Sequence, residues 1–177
     1  MHGIVHKTLK EHVEEDIDAV EWDEIVDRAG LEPKLYLPVT HYPDEEVTAV
    51  FEALAAATGE SEADVQRAFG RRLAPELLNT FKAHVRDDWA TRELLLALEI
   101  VYERVGAQDE DSDLPDVATG ADGGDVVVTY DSDRKLCSLA RGVVLGVADH
   151  YDDDVSISEP ECAREGADHC TLRVAFA

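Results

Sequence analysis

Hydrophobic and polar positions along the chain follow two periods, helical in the front part and two-residue in the back. Residues about 3–15 and 21–29 read as helices, the second carrying Trp22, Ile25 and Val26 and stopping at Gly30. Pro33, Pro38 and Pro43 mark a connection, after which Asp44 opens a helix bearing Val47, Val50, Phe51 and Leu54 and ending at Thr58-Gly59. Ser61-Glu-Ala-Asp64 resembles a capping box, its hydroxyl and carboxylate placed to satisfy free N–H groups of a new helix. Pro75 sits where the first turn of another helix tolerates a missing N–H, with Leu77, Leu78, Phe81 and Val85 as that helix's apolar positions. The strongest pattern runs from about Ala90 to Val105. Leu94, Leu95, Leu98, Val101, Tyr102 and Val105 form one broad stripe, which turns Tyr102 inward with the leucines.

Gly106 to Gly124 is rich in Asp and Gly and reads as a loop with a short strand near Val117. Past it, Asp125–Tyr130 is a strand, and Lys135 to Tyr151 is a helix with Leu136, Leu139, Val143 and Val147 on one face. Val155 and Ile157 alternate, as do Leu172, Val174 and Phe176, and a tight connection around Gly166 makes these strands an antiparallel hairpin. The predicted class is α+β: an N-terminal helical lobe followed by a small antiparallel sheet with one packed helix. The 177 residues suit a single domain with one sizeable core.

Charge changes this picture. Against 40 Asp and Glu there are 16 Lys and Arg, a formal charge of −24. A field this negative repels phosphate backbones and anionic lipid, so no nucleic-acid or membrane partner is expected. No stretch approaches the roughly 20 apolar residues of a membrane-spanning helix, and His2, His6, Lys7 and Lys10 interrupt any signal-peptide core. A cytoplasmic location follows as an expectation. Carboxylates spread over nearly every segment also suit a salt-rich cytoplasm, hence a halophilic source.

Three cysteines do not pair off into a secreted disulfide framework. Cys162 and Cys170 flank the hairpin turn, and Cys137 opens the helix that packs on that sheet. Three thiolates and one further donor complete a closed tetrahedral zinc shell, with Glu159, Glu161, His169 and His150 as candidate fourth ligands. Buried cysteines are also common small core residues, and thiolates can serve as an oxidisable switch. Tyr130-Asp-Ser132-Asp-Arg134 follows a strand, and two hydroxyls with a guanidinium would hold a carboxylate or phosphate. Pairing of the arginine with nearby acids is the plainer account of the same spacing.

The combination resembles the heme-nitric oxide/oxygen-binding (H-NOX, HNOB) family over nearly the full chain. The opening Met1-His-Gly-Ile-Val-His-Lys-Thr-Leu9, the Tyr130-x-Ser132-x-Arg134 motif and the following Gly-containing helix carry the likeness. It implies that Tyr130, Ser132 and Arg134 grip the propionates of a heme b. It divides the domain into a distal helical lobe, 1–60, and a proximal lobe, 61–177, holding the sheet and a zinc site. The C-terminal pattern is similar to the zinc-bearing subgroup, with steps of 22, 3 and 8 residues falling on Cys137, Glu159, Cys162 and Cys170. That resemblance selects Glu159 as the fourth ligand, a glutamate where the bacterial subgroup has cysteine. One departure stands out: Tyr102, in Leu98-Glu-Ile-Val-Tyr102-Glu-Arg-Val105, occupies the place of the family's iron-binding histidine. Leu139 stands where oxygen-binding members carry a distal tyrosine, which implies NO preferred over O₂.

The resemblance therefore implies a gas-sensing domain that is not an enzyme and that signals to a separate partner protein. No nucleophile–base pair, phosphate loop or carboxylate dyad argues otherwise. Replacement of the histidine supports an alternative on the same scaffold, either a heme-free zinc and thiol redox switch or a small-ligand-binding sensor.

Overall fold

In the computed structural model, which describes residues 1–108 and 114–177, the first helix starts at a histidine cap. His2 Nδ1 accepts from the Ile4 N–H (3.3 Å) and opens α1, Gly3–Asp16. Gly3 is required there, because a Cβ would fall 2.0 Å from the Leu37 carbonyl of the connection that crosses the helix start. Helix α2 (Trp22–Arg28) and helix α3 (Asp44–Thr58) follow, the latter closed by left-handed Gly59. The Ser61 half of the expected capping box forms, and the Asp64 carboxylate turns to the Ser61 hydroxyl rather than to a backbone N–H. Ser61 Oγ accepts from the Asp64 N–H (3.1 Å) and donates to its carboxylate (2.6 Å) at the start of α4, Glu62–Thr80. Leu9, Val13, Ile25, Val47, Phe51, Leu54 and Phe69 interlock as the core of this helical part.

Three expectations are corrected. Helix α4 does not break at Pro75 but runs through it to Thr80, so Pro75 is an interior residue. The proline removes the bond to the carbonyl of Arg71, four residues back. That carbonyl instead faces Gly146 of helix α7 (Cys137–His150) so closely that a Cβ on Gly146 would lie 2.5 Å away. The stripe from Ala90 to Val105 is two helices, α5 (Thr91–Leu96) and α6 (Leu98–Gln108), hinged at Ala97. The Gly106–Gly124 loop is shorter than expected. Its end forms a full strand, β1 (Asp116–Asp122), turning at Gly123 into β2 (Asp125–Asp131). Positions 109–113 of that loop lie outside the described residues.

Helix α7 (Cys137–His150) and strands β3 (Val155–Glu161) and β4 (Cys170–Phe176) complete the chain. The sheet is antiparallel throughout in the order β1-β2-β4-β3, and the β3–β4 connection turns at left-handed Gly166. Inward residues Val126, Val128, Ile157, Leu172 and Val174 pack with Leu95 and with Val144 of α7. On its other side α7 crosses α4 through Gly70, Gly142 and Gly146. No helix of the described residues is long and apolar enough to cross a membrane.

Candidate functional site

Where the helical core meets the sheet core, side chains of α1, α4, α5, α6, β2 and α7 leave a cavity of about 290 Å³. Its lining is almost wholly aliphatic, and side-chain polar atoms come from His2, His41, Tyr102, Tyr130 and Arg134 among the described residues. Such a chamber, apolar with a few converging polar groups, is the usual form of a small-molecule site. Tyr102 does point inward from α6, as its helical register demands, together with Leu98, Val101 and Val105. Its hydroxyl makes no hydrogen bond among the described residues. Burial pushes that phenol up to about 12, with the nearby Tyr130 adding to it. Among the described residues none stabilises a phenolate there.

Tyr130 leaves β2 at the cavity edge. Burial raises its phenol, and the Ser132 hydroxyl and the Arg134 charge offset part of that effect. Arg134 is nearly enclosed, 12% exposed, and its Nε donates to Asp44 at the head of α3. Asp44 also takes the Met1 ammonium at 2.5 Å. Burial pushes the Asp44 carboxyl up, but these two cations together hold it below the ordinary range. The Ser132 side chain is not in the cavity wall. Its Oγ accepts from the Arg134 N–H (3.3 Å), which shapes the turn that aims the guanidinium. Leu139 does line the cavity, from the first turns of α7.

The second cluster lies at the N-terminal end of α7, beside the sheet. Ligating atoms of Cys137, Glu159, Cys162 and Cys170 all lie within 4.8 Å of one another. Cys137 is the first residue of α7, where the helix N-terminus favours a thiolate. Cys170 Sγ accepts from the Ala163 N–H (3.2 Å), an interaction that also suits a negative sulfur. Glu159 Oε1 is buried without a hydrogen-bond partner. Burial, and then Glu159, push the Cys162 thiol up. The Cys137 and Cys170 sulfurs touch at disulfide range, their Cα atoms 6.6 Å apart, and Cys162 is free. Three sulfurs and an orphaned carboxylate oxygen around one point fit the donor set of a closed tetrahedral zinc site. The other candidate ligands stand apart: His169 pairs with Glu161 (3.4 Å), Glu161 also accepts from Thr171 (2.8 Å), and His150 stacks edge-on with Tyr151.

Reading the sequence by pattern missed Asp44 as the partner of Arg134, and it missed His2 and His41 in the cavity wall. An acid directly after Pro43 at a helix start was visible, but its 90-residue reach to Arg134 was not. His41 lies in an irregular connection that carries no period to read.

Residues 2–159 match the haem-NO-binding family model. The fold is also that of solved H-NOX proteins. An H-NOX protein of Shewanella oneidensis in the Fe(II)NO state superposes with a TM-score of 0.91 at 23% identity, over 100% of this chain and 99% of that one. The NMR structure of an H-NOX domain from the same organism in the Fe(II)CO state gives 0.86 at 23% identity, over 100% and 99%. An unliganded Fe(II) H-NOX variant from K. algicida gives 0.83 at 15% identity, over 100% and 97%. No curated protein sequence matches. At these identities the structural likeness establishes the fold.

Proposed function

Because the chain belongs to the haem-NO-binding family, a family of heme-based gas-sensor domains, we propose that its cavity holds heme b and that Tyr102, Tyr130, Ser132 and Arg134 are the residues that secure it. The observation that carries this reading is the aliphatic chamber with Tyr130 and Arg134 at one edge and the unbonded Tyr102 hydroxyl in its wall. An apolar macrocycle with acidic tails meets both requirements: its body replaces water against the leucines and valines, and its carboxylates take the guanidinium. When bound, the heme supplies an iron able to take a diatomic gas. The chain's own residues do the rest. Arg134, held by Asp44, fixes the acidic tails, Ser132 shapes the Arg134 turn, and Tyr102 offers an oxygen donor from α6.

Leu139 contributes no hydrogen-bond donor to the cavity, and bound O₂ depends on such a donor more than NO does, so NO is the preferred gas. A distal lobe of residues 1–60 would then shift relative to residues 61–177, and the change of shape would be read by a separate signalling protein. Cys137, Glu159, Cys162 and Cys170 bind zinc and tie α7 to the β3–β4 hairpin.

Hemin titration tests the reading. The wild type is expected to take up one equivalent with a shifted Soret band. Arg134→Ala should lose hemin faster, in line with the roughly 1.5–3 kcal/mol of a charged hydrogen bond. An unchanged off-rate removes the clamp, and no uptake from excess hemin removes the pocket. A metal count on the same sample, purified without added metal, should approach one zinc per chain. The direct Cys137–Cys170 contact favours a second reading, a heme-free switch in which oxidation joins these two sulfurs and releases the metal. Zinc release by peroxide in a protein that binds no hemin would establish it.

A further inference from the structure

We infer that Tyr102 makes this pocket a holder of ferric heme that lets go on reduction, so that the oxidation state of the iron, rather than gas alone, sets whether the heme stays. The inference rests on the proposed heme site and names how that site is regulated. Three observations carry it. Tyr102 lines the cavity from the middle of α6, and its hydroxyl has no hydrogen-bond partner among the described residues. Tyr102 is half-buried, and its unbonded hydroxyl sits in the wall of an otherwise aliphatic cavity, a placement that suits a ligand. The immediate neighbours on the same two helices, Leu94, Leu98, Val101 and Val105, are aliphatic, with no donor or cation to share a phenolate charge. Nor is His2 disposed to replace it, since its Nδ1 already accepts from the Ile4 N–H as the cap of α1.

The chemistry follows from charge and hardness. A phenol oxygen binds heme iron as an anion, the ligation that catalase uses. With Arg134 of the same cavity engaged by Asp44, the iron's own charge is the main balance for that anion, and Coulomb attraction at low dielectric makes the third positive charge count heavily. Ferric iron with its porphyrin dianion keeps one net positive charge for the phenolate, whereas ferrous iron keeps none. One electron from a low-potential donor of the reduced-flavin class, and one proton from water taken by the Tyr102 oxygen, therefore break the iron–oxygen bond and leave a neutral phenol. Gas capture requires the ferrous iron. The state that takes NO is thus the state that Tyr102 holds least.

Heme transfer to excess apomyoglobin tests this on the hemin-loaded protein, with and without dithionite under argon. In the wild type, reduction should speed transfer by about tenfold or more. A phenolate-to-iron charge-transfer band in the ferric spectrum should vanish in Tyr102→Phe, and Tyr102→His should abolish the reductive acceleration while retaining heme. Equal ferric and ferrous transfer rates in the wild type overturn the inference and leave the heme site standing. A Tyr102→Phe spectrum identical to wild type overturns it likewise, since the iron ligand then lies elsewhere. No hemin uptake by any of the three overturns both.

Discussion

His6 is 2% exposed, its Nε2 is 3.1 Å from the Pro43 carbonyl, and its Nδ1 has no hydrogen-bond partner. The Nε2–H tautomer, neutral, is the one that suits this setting, with the ring packed against Tyr36 and Tyr42. Burial lowers its basicity, the Pro43 carbonyl and the Glu46 carboxylate opposing part of that effect. The unfolded chain thus binds a proton near pH 6.5 that the folded chain refuses, so stability is lost as pH falls below about 6.5 until the folded-state value is reached. Urea denaturation at about pH 7.5 and about pH 5 should show the wild type weakening on acidification. His6→Gln, which cannot titrate, should flatten that difference even if it lowers stability overall. An equal decline in both proteins would assign the acid sensitivity to carboxylates instead.

At the scale of elements, the contact between α4 and α7 carries the two halves of the molecule. A Cβ at Gly142 would lie 2.3 Å from the Arg67 carbonyl, and one at Gly70 would lie 2.4 Å from the Leu139 carbonyl. Both obstacles are backbone atoms, which do not swing aside. Gly142→Ala gains up to about 1 kcal/mol of helix propensity but forces the helices apart, at a cost of about 1–3 kcal/mol. A net loss in chemical denaturation is expected, and a more stable variant would show that the crossing yields easily. This contact explains why the sequence misled at Pro75. Local rules put a helix start there, and no local rule contains the glycine of another helix that shelters the freed Arg71 carbonyl. The Ser61–Asp64 cap and the β3–β4 hairpin were legible because their signals are local. Strand β1, with mostly exposed Asp, Ala and Gly positions, owes its existence to pairing with β2 and to Thr119, whose hydroxyl donates to the Leu96 carbonyl of α5 (3.2 Å) and whose N–H donates to Glu99 of α6 (2.6 Å).

For the whole molecule, the −24 charge sets the response to salt. Many of the cations that exist are already paired, as with Arg71–Asp149, Arg72–Glu15 and Arg173–Asp125, so the excess acids repel one another across the surface. Raising KCl from about 0.1 M to about 2 M shortens the screening length from about 10 Å to below 3 Å and should raise the melting temperature. Greatest stability at low salt would dismiss a salt-adapted origin. The three clustered cysteines were readable from spacing because a hairpin and one helix start suffice to gather them, whereas Glu159 was singled out only by the family resemblance. The cavity was readable only through Tyr102's register and the strand-end motif. Its other wall comes from α1 and from His41, which tertiary packing alone brings there.

Helix α7 begins with Cys137 in the sulfur cluster, and from Leu139 to Val147 it forms one wall of the apolar chamber. Two binding events that share a rigid rod are thermodynamically reciprocal. With both proposed sites filled, whatever factor a metal at Cys137 adds to the grip on a porphyrin, the porphyrin must return to the grip on the metal.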